Sequence, residues 1–264
     1  MVNAKEIICK KYYIFISVLF IVVVLKTAKV FGFTRQEVIK DAKDEILEIR
    51  SSTDAFLGTA FFIDSIGNAI TCYHVLYDEK TGLLKDSVFI ARVYALYITG
   101  NGSYETLISF PFTVDTFSVE YDAAVIKIDF NRASMPVGTS GYLELADSIY
   151  SEAGDDIVCL GYVPSKYTLP RPFALHGIVS TIRPFVTMVN QDENKSYNIS
   201  ILQLDMTAVG GVSGSPIIDL NTNEVIAYMV EVNLPGKFKQ SGFSTAYSIT
   251  NIKDLIEVTR KKDK

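Results

Sequence analysis

From residue 46 onward, short apolar runs alternate with breaks made of Gly, Asn, Asp, Ser or Pro. The runs are rich in Val, Ile, Tyr and Phe, residues that suit a pleated and half-buried strand. Many short strands with few helical stretches between them predict an all-β sandwich or a set of barrels. The runs, roughly eleven in number, are ILEIRS, GTAFFID, NAITCYHVL, SVFIARVYALYI, AAVIKIDF, DIVCLGYV, LHGIVSTI, FVTMV, ISILQLDM, SPIIDL and EVIAYMVEV.

Helical patterns flank this β region on both sides. On its amino side, Thr34 stands three residues before Glu37, which is the spacing of a capping box, and an apolar face follows. On its carboxyl side, the stretch TNIKDLIEVTRK predicts a closing helix over about 250–261, capped by Thr250 or Asn251.

A break in the strand pattern divides the β region into two parts. The stretch NRASMPVGTSG, residues 131–141, interrupts the apolar runs with Pro and Gly. We therefore expect a domain over residues 34–258 that contains two β units of similar size. The first would cover about 46–136 and the second about 137–248.

The first 33 residues have the pattern of a targeting segment. Lysines at 10, 11 and 26 flank a largely apolar stretch, Tyr12 to Leu25. Its length suits the core of a signal peptide and falls short of the ~17–25 residues of a spanning helix. No small-residue cleavage site follows, so a cleaved signal peptide and a retained apolar membrane anchor both stay open. Either one predicts an exported domain, periplasmic, extracellular or anchored outside the cytoplasm.

Charge and cysteine usage narrow the classes of partner. The formal net charge of −5 argues against binding to nucleic acid, which favours a basic face. Cys72 and Cys159 lie inside apolar runs and are predicted to be buried free thiols. The chain has no CxxC motif and only two histidines, so a structural zinc site is not expected.

The stretch GGVSGSPIID, residues 210–219, is a candidate nucleophile loop or an ordinary turn. A serine such as Ser213 needs a neighbouring base and a third group that orients the base. His74 closes an apolar run, where a side chain reaches the rim of a sheet, whereas His176 precedes a glycine at a strand start and suits a turn or rim role. Asp122 precedes the run AAVIKI, so its carboxylate is desolvated and needs a hydrogen-bonding partner.

The order of these residues along the chain discriminates between scaffolds. No histidine follows Ser213, which excludes the order Ser, Asp, His of the α/β-hydrolases. The order His74, Asp122, Ser213 is that of chymotrypsin-type β-barrels. In such a loop the backbone N–H groups of Gly211 and Ser213 would stabilise an oxyanion.

At these places the sequence resembles the trypsin-like serine peptidases, and among them the HtrA/Deg-type enzymes. The segments GTAFFIDSIGNAITCYHVL, YDAAVIKI and GGVSGSPIID carry the resemblance, and GFSTAYSITNIKDLI is similar to the segment that leads into the closing helix of the family. The resemblance covers roughly residues 46–258. No PDZ domain follows the closing helix in this sequence.

The resemblance implies two packed six-stranded antiparallel β-barrels, with a C-terminal helix. It implies that His74 acts as general base and then acid, that Asp122 orients it, and that Ser213 is acylated. It further implies protein or peptide substrates and neither a metal nor another cofactor. A membrane contact would come only through the amino-terminal segment, if that segment is retained.

Two positions depart from the family pattern. Val212 replaces the usual Asn or Asp, and Tyr73 stands where a small residue is common. The resemblance also implies that Thr207, six residues before Ser213, would lie near the floor of the first specificity pocket. Because Thr207 has no carboxylate, a small or apolar substrate side chain is expected there. Val212 and Tyr73 also keep a second hypothesis open, a catalytically inactive peptidase-like binding or scaffolding module at the membrane.

Overall fold

The computed structural model of the chain describes residues 32–99, 102–132, 141–164, 171–190, 195–207, 209–230 and 243–263. The predicted signal peptide or apolar anchor helix lies outside the described residues. Residues 34–264 form one compact unit. In the described part of the chain, every helix is too short or too polar to cross a membrane.

Within the described ranges, twelve strands and three helices build this unit. The strands are β1 Ile46–Ser51, β2 Phe56–Phe62, β3 Asn68–Thr71, β4 Phe89–Thr99, β5 Gly102–Ser118, β6 Ala123–Ile128, β7 Asp156–Gly161, β8 Phe173–Asn190, β9 Lys195–Asp205, β10 Pro216–Asp219, β11 Val225–Met229 and β12 Phe243–Ser248. The helices are α1 Arg35–Ala42, α2 Tyr73–Leu76 and α3 Lys253–Lys262.

The strands close into two six-stranded antiparallel barrels, which confirms the predicted architecture. In the first barrel the strand order is β1-β2-β3-β6-β5-β4, and in the second it is β10-β11-β12-β9-β8-β7. Apolar side chains from both barrels join in one continuous buried core. Closing each sheet on itself gives every strand two partners. The outer parts of the β4–β5 and β8–β9 hairpins extend beyond the barrels and pair only with each other.

The helices on either side of the β region pack against the barrel that is farther from them in sequence, α1 against β7 of the second barrel and α3 against β5 of the first. Helix α1 carries the predicted capping box, in which Thr34 and Glu37 exchange side-chain and backbone hydrogen bonds, and it buries Val38 and Ala42. Helix α3 follows the second barrel in sequence, yet its end bonds to the first barrel. There the Thr259 hydroxyl donates to the carboxylate of Asp115, at 2.7 Å.

More contacts at the end of α3 strengthen this crossing. The ammonium group of Lys262 lies 3.1 Å from the Asp115 carboxylate. Asp263 accepts hydrogen bonds from the Asn68 amide at 2.8 Å and from Lys127 at 3.0 Å. Asp115 stands at a shift of register in β5, between Val114 and Thr116, so the bulge gives α3 a place to attach.

Some elements differ from the sequence-based expectation, each for a physical reason. Strand β5 was not among the expected strands because its polar residues leave no long apolar run and because it contains Pro111, which nevertheless pairs with Ile90. The runs LHGIVSTI and FVTMV are one strand, β8, whose register shift between Arg183 and Val186 accommodates the intervening proline.

The expected capping of the closing helix is wrong. A 3-10 turn, Ile249–Ile252, comes first, and the hydroxyl of Ser248 accepts from the backbone N–H of Thr250. Helix α3 then begins at Lys253 without a side-chain cap.

Candidate active site

A histidine and an aspartate from the first barrel form the polar centre of the site. Nδ1 of His74 lies 2.6 Å from Oδ2 of Asp122, and the backbone N–H of His74 donates to Oδ1 of the same carboxylate at 2.9 Å. The carboxylate thus holds the ring and the main chain of one residue together. Both side chains are about one-fifth exposed, which puts the pair at a rim rather than in the core.

Local structure explains how the two residues meet. The apolar run that contains His74 does not continue as a strand, because β3 ends at Thr71 and the one-turn helix α2 follows. Asp122 lies in the tight turn between β5 and β6 with φ +44°, a conformation that Asp tolerates better than most residues. Strands β3 and β6 pair directly, so the ends that carry His74 and Asp122 are neighbours.

The electrostatics of the pair favour a protonated imidazole. Burial disfavours the charged ring, but the hydrogen bond and the negative charge of Asp122 outweigh burial and raise the pKa of His74 above its ordinary value. The ammonium group of Lys85 donates to the backbone carbonyl of His74 at 2.5 Å and fixes the short helix from its solvent side.

The nucleophile loop comes from the second barrel and is built around two glycines with positive φ. Gly211 has φ +104° and Gly214 has φ +84°, values that other residues adopt only under strain. A Cβ added to Gly214 would lie 2.1 Å from the backbone oxygen of Thr59 and 3.2 Å from the backbone nitrogen of Cys72. The loop can therefore approach the first barrel this closely only with glycine at position 214.

Backbone hydrogen bonds hold the loop in place. Gly214 donates to the carbonyl of Met229 at 2.8 Å, and Ser215 donates to the carbonyl of Val212 at 2.9 Å. The carbonyl of Ser213 accepts from the backbone N–H of Thr59 at 3.0 Å, across the boundary between the barrels. The Ser213 side chain is buried at the base of this arrangement, and the residue is 5% exposed.

The structure brings the serine loop and the histidine segment together through Cys72. Its backbone is in close approach to Gly214, and it immediately precedes helix α2, which carries His74. In the described part of the chain, the Ser213 hydroxyl makes no hydrogen bond to the His74 ring. Such contacts are often long in the absence of substrate and shorten in the complex.

Cys72 is a close neighbour of the pair that the sequence did not indicate as part of the site. Its sulfur, a ring nitrogen of His74 and a carboxylate oxygen of Asp122 all lie within 4.8 Å of one another. The thiol is fully buried and donates to the carbonyl of Met229 at 3.3 Å. Burial and the nearby charge of Asp122 raise the pKa of the thiol well above its ordinary value, so it stays protonated. Cys72 and Cys159 are both buried free thiols, as predicted.

Thiol, imidazole and carboxylate are ligand types that zinc accepts. However, two ligand atoms on one tetrahedral zinc are about 3.3 Å apart, whereas Nδ1 of His74 and Oδ2 of Asp122 are 2.6 Å apart. That separation is typical of a charge-assisted hydrogen bond. We therefore interpret the group as a hydrogen-bonded pair beside a neutral thiol.

The remaining predicted residues occupy separate places. Thr207 is exposed just after β9, and its role in a specificity pocket stays a prediction. His176 pairs across β7 and β8 with Asp156 at 2.7 Å, apart from the His74 pair. The Tyr73 ring stacks on Tyr77, with centroids 4.4 Å apart, so this bulky neighbour of His74 is held in an aromatic cluster.

Comparisons with known proteins agree with the fold. Residues 58–227 match the family described as trypsin-like peptidase domain. The chain is also similar to the crystal structure of Deg5, with a TM-score of 0.55 and 18% sequence identity over 82% of this chain and 89% of the Deg5 chain. At that identity the likeness speaks for the fold alone. No curated protein matches the chain by sequence.

Proposed function

Since the chain belongs to the trypsin-like peptidase domain family, we propose that it is a serine endopeptidase that uses His74, Asp122 and Ser213. Membership agrees with the resemblance that the sequence carries, and it makes the protein a peptidase-family member with protein substrates. The assignment of the three residues rests on one observation above all. A single carboxylate binds both the ring and the backbone N–H of His74.

This contact supports a base of defined tautomer. An ionised carboxylate only accepts hydrogen bonds, so Nδ1 of His74 carries a proton and Nε2 is left as the acceptor. His74 then removes the proton of the Ser213 hydroxyl while Oγ attacks the carbonyl carbon of the substrate. Asp122 stabilises the imidazolium that forms, which is the charge state that the raised pKa of His74 favours.

The remaining steps form an acyl-enzyme and then hydrolyse it. The carbonyl electrons move to oxygen, where the backbone N–H groups of Gly211 and Ser213 stabilise the negative charge. The C–N bond breaks, Nε2 of His74 returns its proton to the leaving amine, and an acyl-enzyme remains on Ser213. Water then attacks the ester with His74 as base again, which releases the acid and regenerates the hydroxyl. No step uses a metal or another cofactor.

The sequence supports an exported enzyme. The apolar segment between lysines at the amino terminus is a signal peptide or an anchor, so we propose that the peptidase domain acts outside the cytoplasm. The substrate side chain opposite Thr207 is proposed to be small or apolar.

A second candidate is a peptidase-like binding or scaffolding module without catalysis. The observation in its favour is that, within the described residues, the Ser213 hydroxyl does not bond to His74. In that case the serine would not be activated, and binding of protein partners would remain.

A fluorophosphonate probe distinguishes the two candidates. We expect the wild-type protein to be labelled at Ser213 and to cleave unfolded casein, because the probe reacts only with an activated serine. Ser213→Ala should lose both, while Ser151→Ala, which removes a buried serine elsewhere, should keep both per folded molecule. An unlabelled wild-type protein that leaves casein intact would exclude the peptidase and favour the binding module.

A further inference from the structure

The side chain at position 212 does not orient the nucleophile loop through a charge. Val212 has a side chain that cannot form an ion pair, and it is 2% exposed in the core. The adjacent Gly211 has φ +104°, and glycine moves between conformations at little cost. The N–H group of Gly211 therefore needs an anchor that does not depend on a charge at position 212.

That anchor comes from strand β2 of the opposite barrel. The hydroxyl of Thr59 donates to the carbonyl of Gly211 at 3.0 Å and accepts from the backbone N–H of Tyr162 at 2.9 Å. The backbone N–H of Thr59 donates to the carbonyl of Ser213. One residue thus contacts both members of the expected oxyanion hole, as well as the chain just after β7.

The direction of these bonds is determined by chemistry. A carbonyl oxygen only accepts and a backbone N–H only donates, so the single proton of the Thr59 hydroxyl must point at Gly211. Thr59 is fully buried, and its own carbonyl accepts from the hydroxyl of Thr71 at 2.7 Å. With each polar group of Thr59 bonded in this way, the hydroxyl has no alternative orientation and no access to water.

We propose that Thr59 is a positioning residue, whose hydroxyl clamps the Gly211 carbonyl and so orients the Gly211 N–H group toward the oxyanion. This inference rests on the proposed hydrolase function, since an oxyanion forms only if Ser213 attacks a substrate. The carbonyl of Gly211 belongs to the same peptide group as the N–H of Val212, and that N–H donates to the carbonyl of Val209 at 3.3 Å. The two bonds hold this peptide group from both sides and close a four-residue turn from Val209 to Val212. The central peptide group of the turn carries the Gly211 N–H, and the positive φ of Gly211 at the third position is that of a type II turn, which sets the direction of this N–H.

Three variants separate positioning from stability. Thr59→Val keeps the shape of the side chain but loses the hydroxyl, and Thr59→Ser keeps the hydroxyl. Thr259→Val makes the same chemical change in helix α3, where the buried hydroxyl bonds to Asp115 of β5 rather than to the nucleophile loop. Both valine variants lose a buried hydrogen bond, so both should lower the melting temperature.

Only Thr59→Val should impair the chemistry. Removing an oxyanion donor costs on the order of 10²–10³ in kcat, and misorienting one should cost less, about tenfold. We expect this loss in kcat for casein cleavage and in the rate of fluorophosphonate labelling, per folded molecule, with KM changed by no more than about twofold. Thr59→Ser should have a kcat close to that of the wild type, and so should Thr259→Val.

Two results would overturn the inference: a wild-type kcat in Thr59→Val, or a kcat in Thr59→Ser as low as in the valine variant. If Thr59→Val does not fold, Thr59→Ala takes its place, because the smaller side chain cannot clash.

The clamp can also be tested without any activity, from the amide NMR signals of protein labelled with nitrogen-15 in glycine and tyrosine. Its failure can therefore be told apart from a failure of the proposed hydrolase function. If the wild-type protein has no peptidase activity, the hydrolase proposal fails. In that case a shifted Gly211 amide signal and faster hydrogen exchange of the Tyr162 amide in Thr59→Val would still support the clamp. Unchanged signals would reject the clamp as well.

Discussion

At the scale of single residues, the site depends on pairs of groups that complete each other's hydrogen bonding. His74 and Asp122 share two hydrogen bonds, and Thr59 joins three backbone groups of the second barrel. The sequence predicted the pair, because Asp122 opens a buried strand and only one histidine stands at a strand end. It did not predict Thr59, since its contact with Gly211 spans 152 positions and a threonine in an apolar strand is unremarkable by itself.

The raised pKa of His74 predicts the pH profile of the proposed peptidase activity. Only the neutral imidazole accepts the serine proton, so the rate of fluorophosphonate labelling should rise with pH through a midpoint above about 6.5, the ordinary value for histidine. Asp122→Asn removes the charge that raises the pKa and leaves burial, so the midpoint should fall. Its maximal rate should fall about 10⁴-fold, because the amide can stabilise the wrong tautomer.

Ring signals in NMR titrations measure this midpoint directly, even in the slow variant. His176→Gln serves as the control that assigns the two histidines, because His176 pairs with Asp156 outside the site. A wild-type midpoint at or below 6.5, or the same midpoint in Asp122→Asn, would contradict the prediction.

The same pKa shift gives stability the opposite pH dependence. A folded-state pKa above the unfolded one means that protonated His74 stabilises the fold, fully below about pH 6.5. That contribution is lost as the pH rises through the folded pKa. The difference in melting temperature between wild type and Asp122→Asn should accordingly be larger at acidic than at alkaline pH.

At the scale of elements, helix α3 secures the first barrel although it follows the second in sequence. Its attachment depends on the bulge in β5, where the carboxylate of Asp115 accepts hydrogen bonds from Thr259 and Lys262. The sequence predicted a closing helix from its apolar spacing, but not its partner. A bulge shifts the register by one residue without a consistent mark in the hydrophobic pattern. Strand β5 was missed because it has no long apolar run and contains Pro111, a residue that is uncommon within sheets.

Loss of this attachment should cost stability but not chemistry. Asp115→Ala leaves the buried hydroxyl of Thr259 without its acceptor, and we expect a loss of about 1–3 kcal/mol in the free energy of unfolding. Denaturant titration measures it. Asp147→Ala, which removes a fully exposed carboxylate near Lys253, should stay within about 0.5 kcal/mol of wild type. Equal losses in the two variants would show that the bulge does not anchor the helix.

At the scale of the whole molecule, the two barrels share one core and exchange polar contacts at the site. Thr59 bonds to the nucleophile loop, and the hydroxyl of Tyr228 in the second barrel donates to the carbonyl of Tyr121, beside Asp122, at 2.5 Å. The ring of Tyr121 also meets that of Tyr197 edge to face. The count of strands and the break at residues 131–141 predicted two β units. Contacts between the units could not be predicted, because they depend on how two closed surfaces dock.

Such coupling predicts that the domain unfolds as one unit. Calorimetry should show a single transition whose calorimetric and van't Hoff enthalpies agree. Asp115→Ala, which acts on the first barrel, should shift the entire transition rather than split it. Two resolved transitions in either protein would mean that the barrels are independent.

The crossing of helix α3 has a consequence for the order of events during synthesis. Asp115 of the first barrel meets its partners 144 and 147 positions later, and Asn68 meets Asp263 after 195. A nascent chain that has completed every strand of the first barrel therefore still lacks these bonds while the whole second barrel is being made. Contacts between such distant positions form slowly and late. Asn68 begins β3, the strand that leads to His74, so the histidine side of the proposed site would be held in place only after the second barrel and α3 have been made.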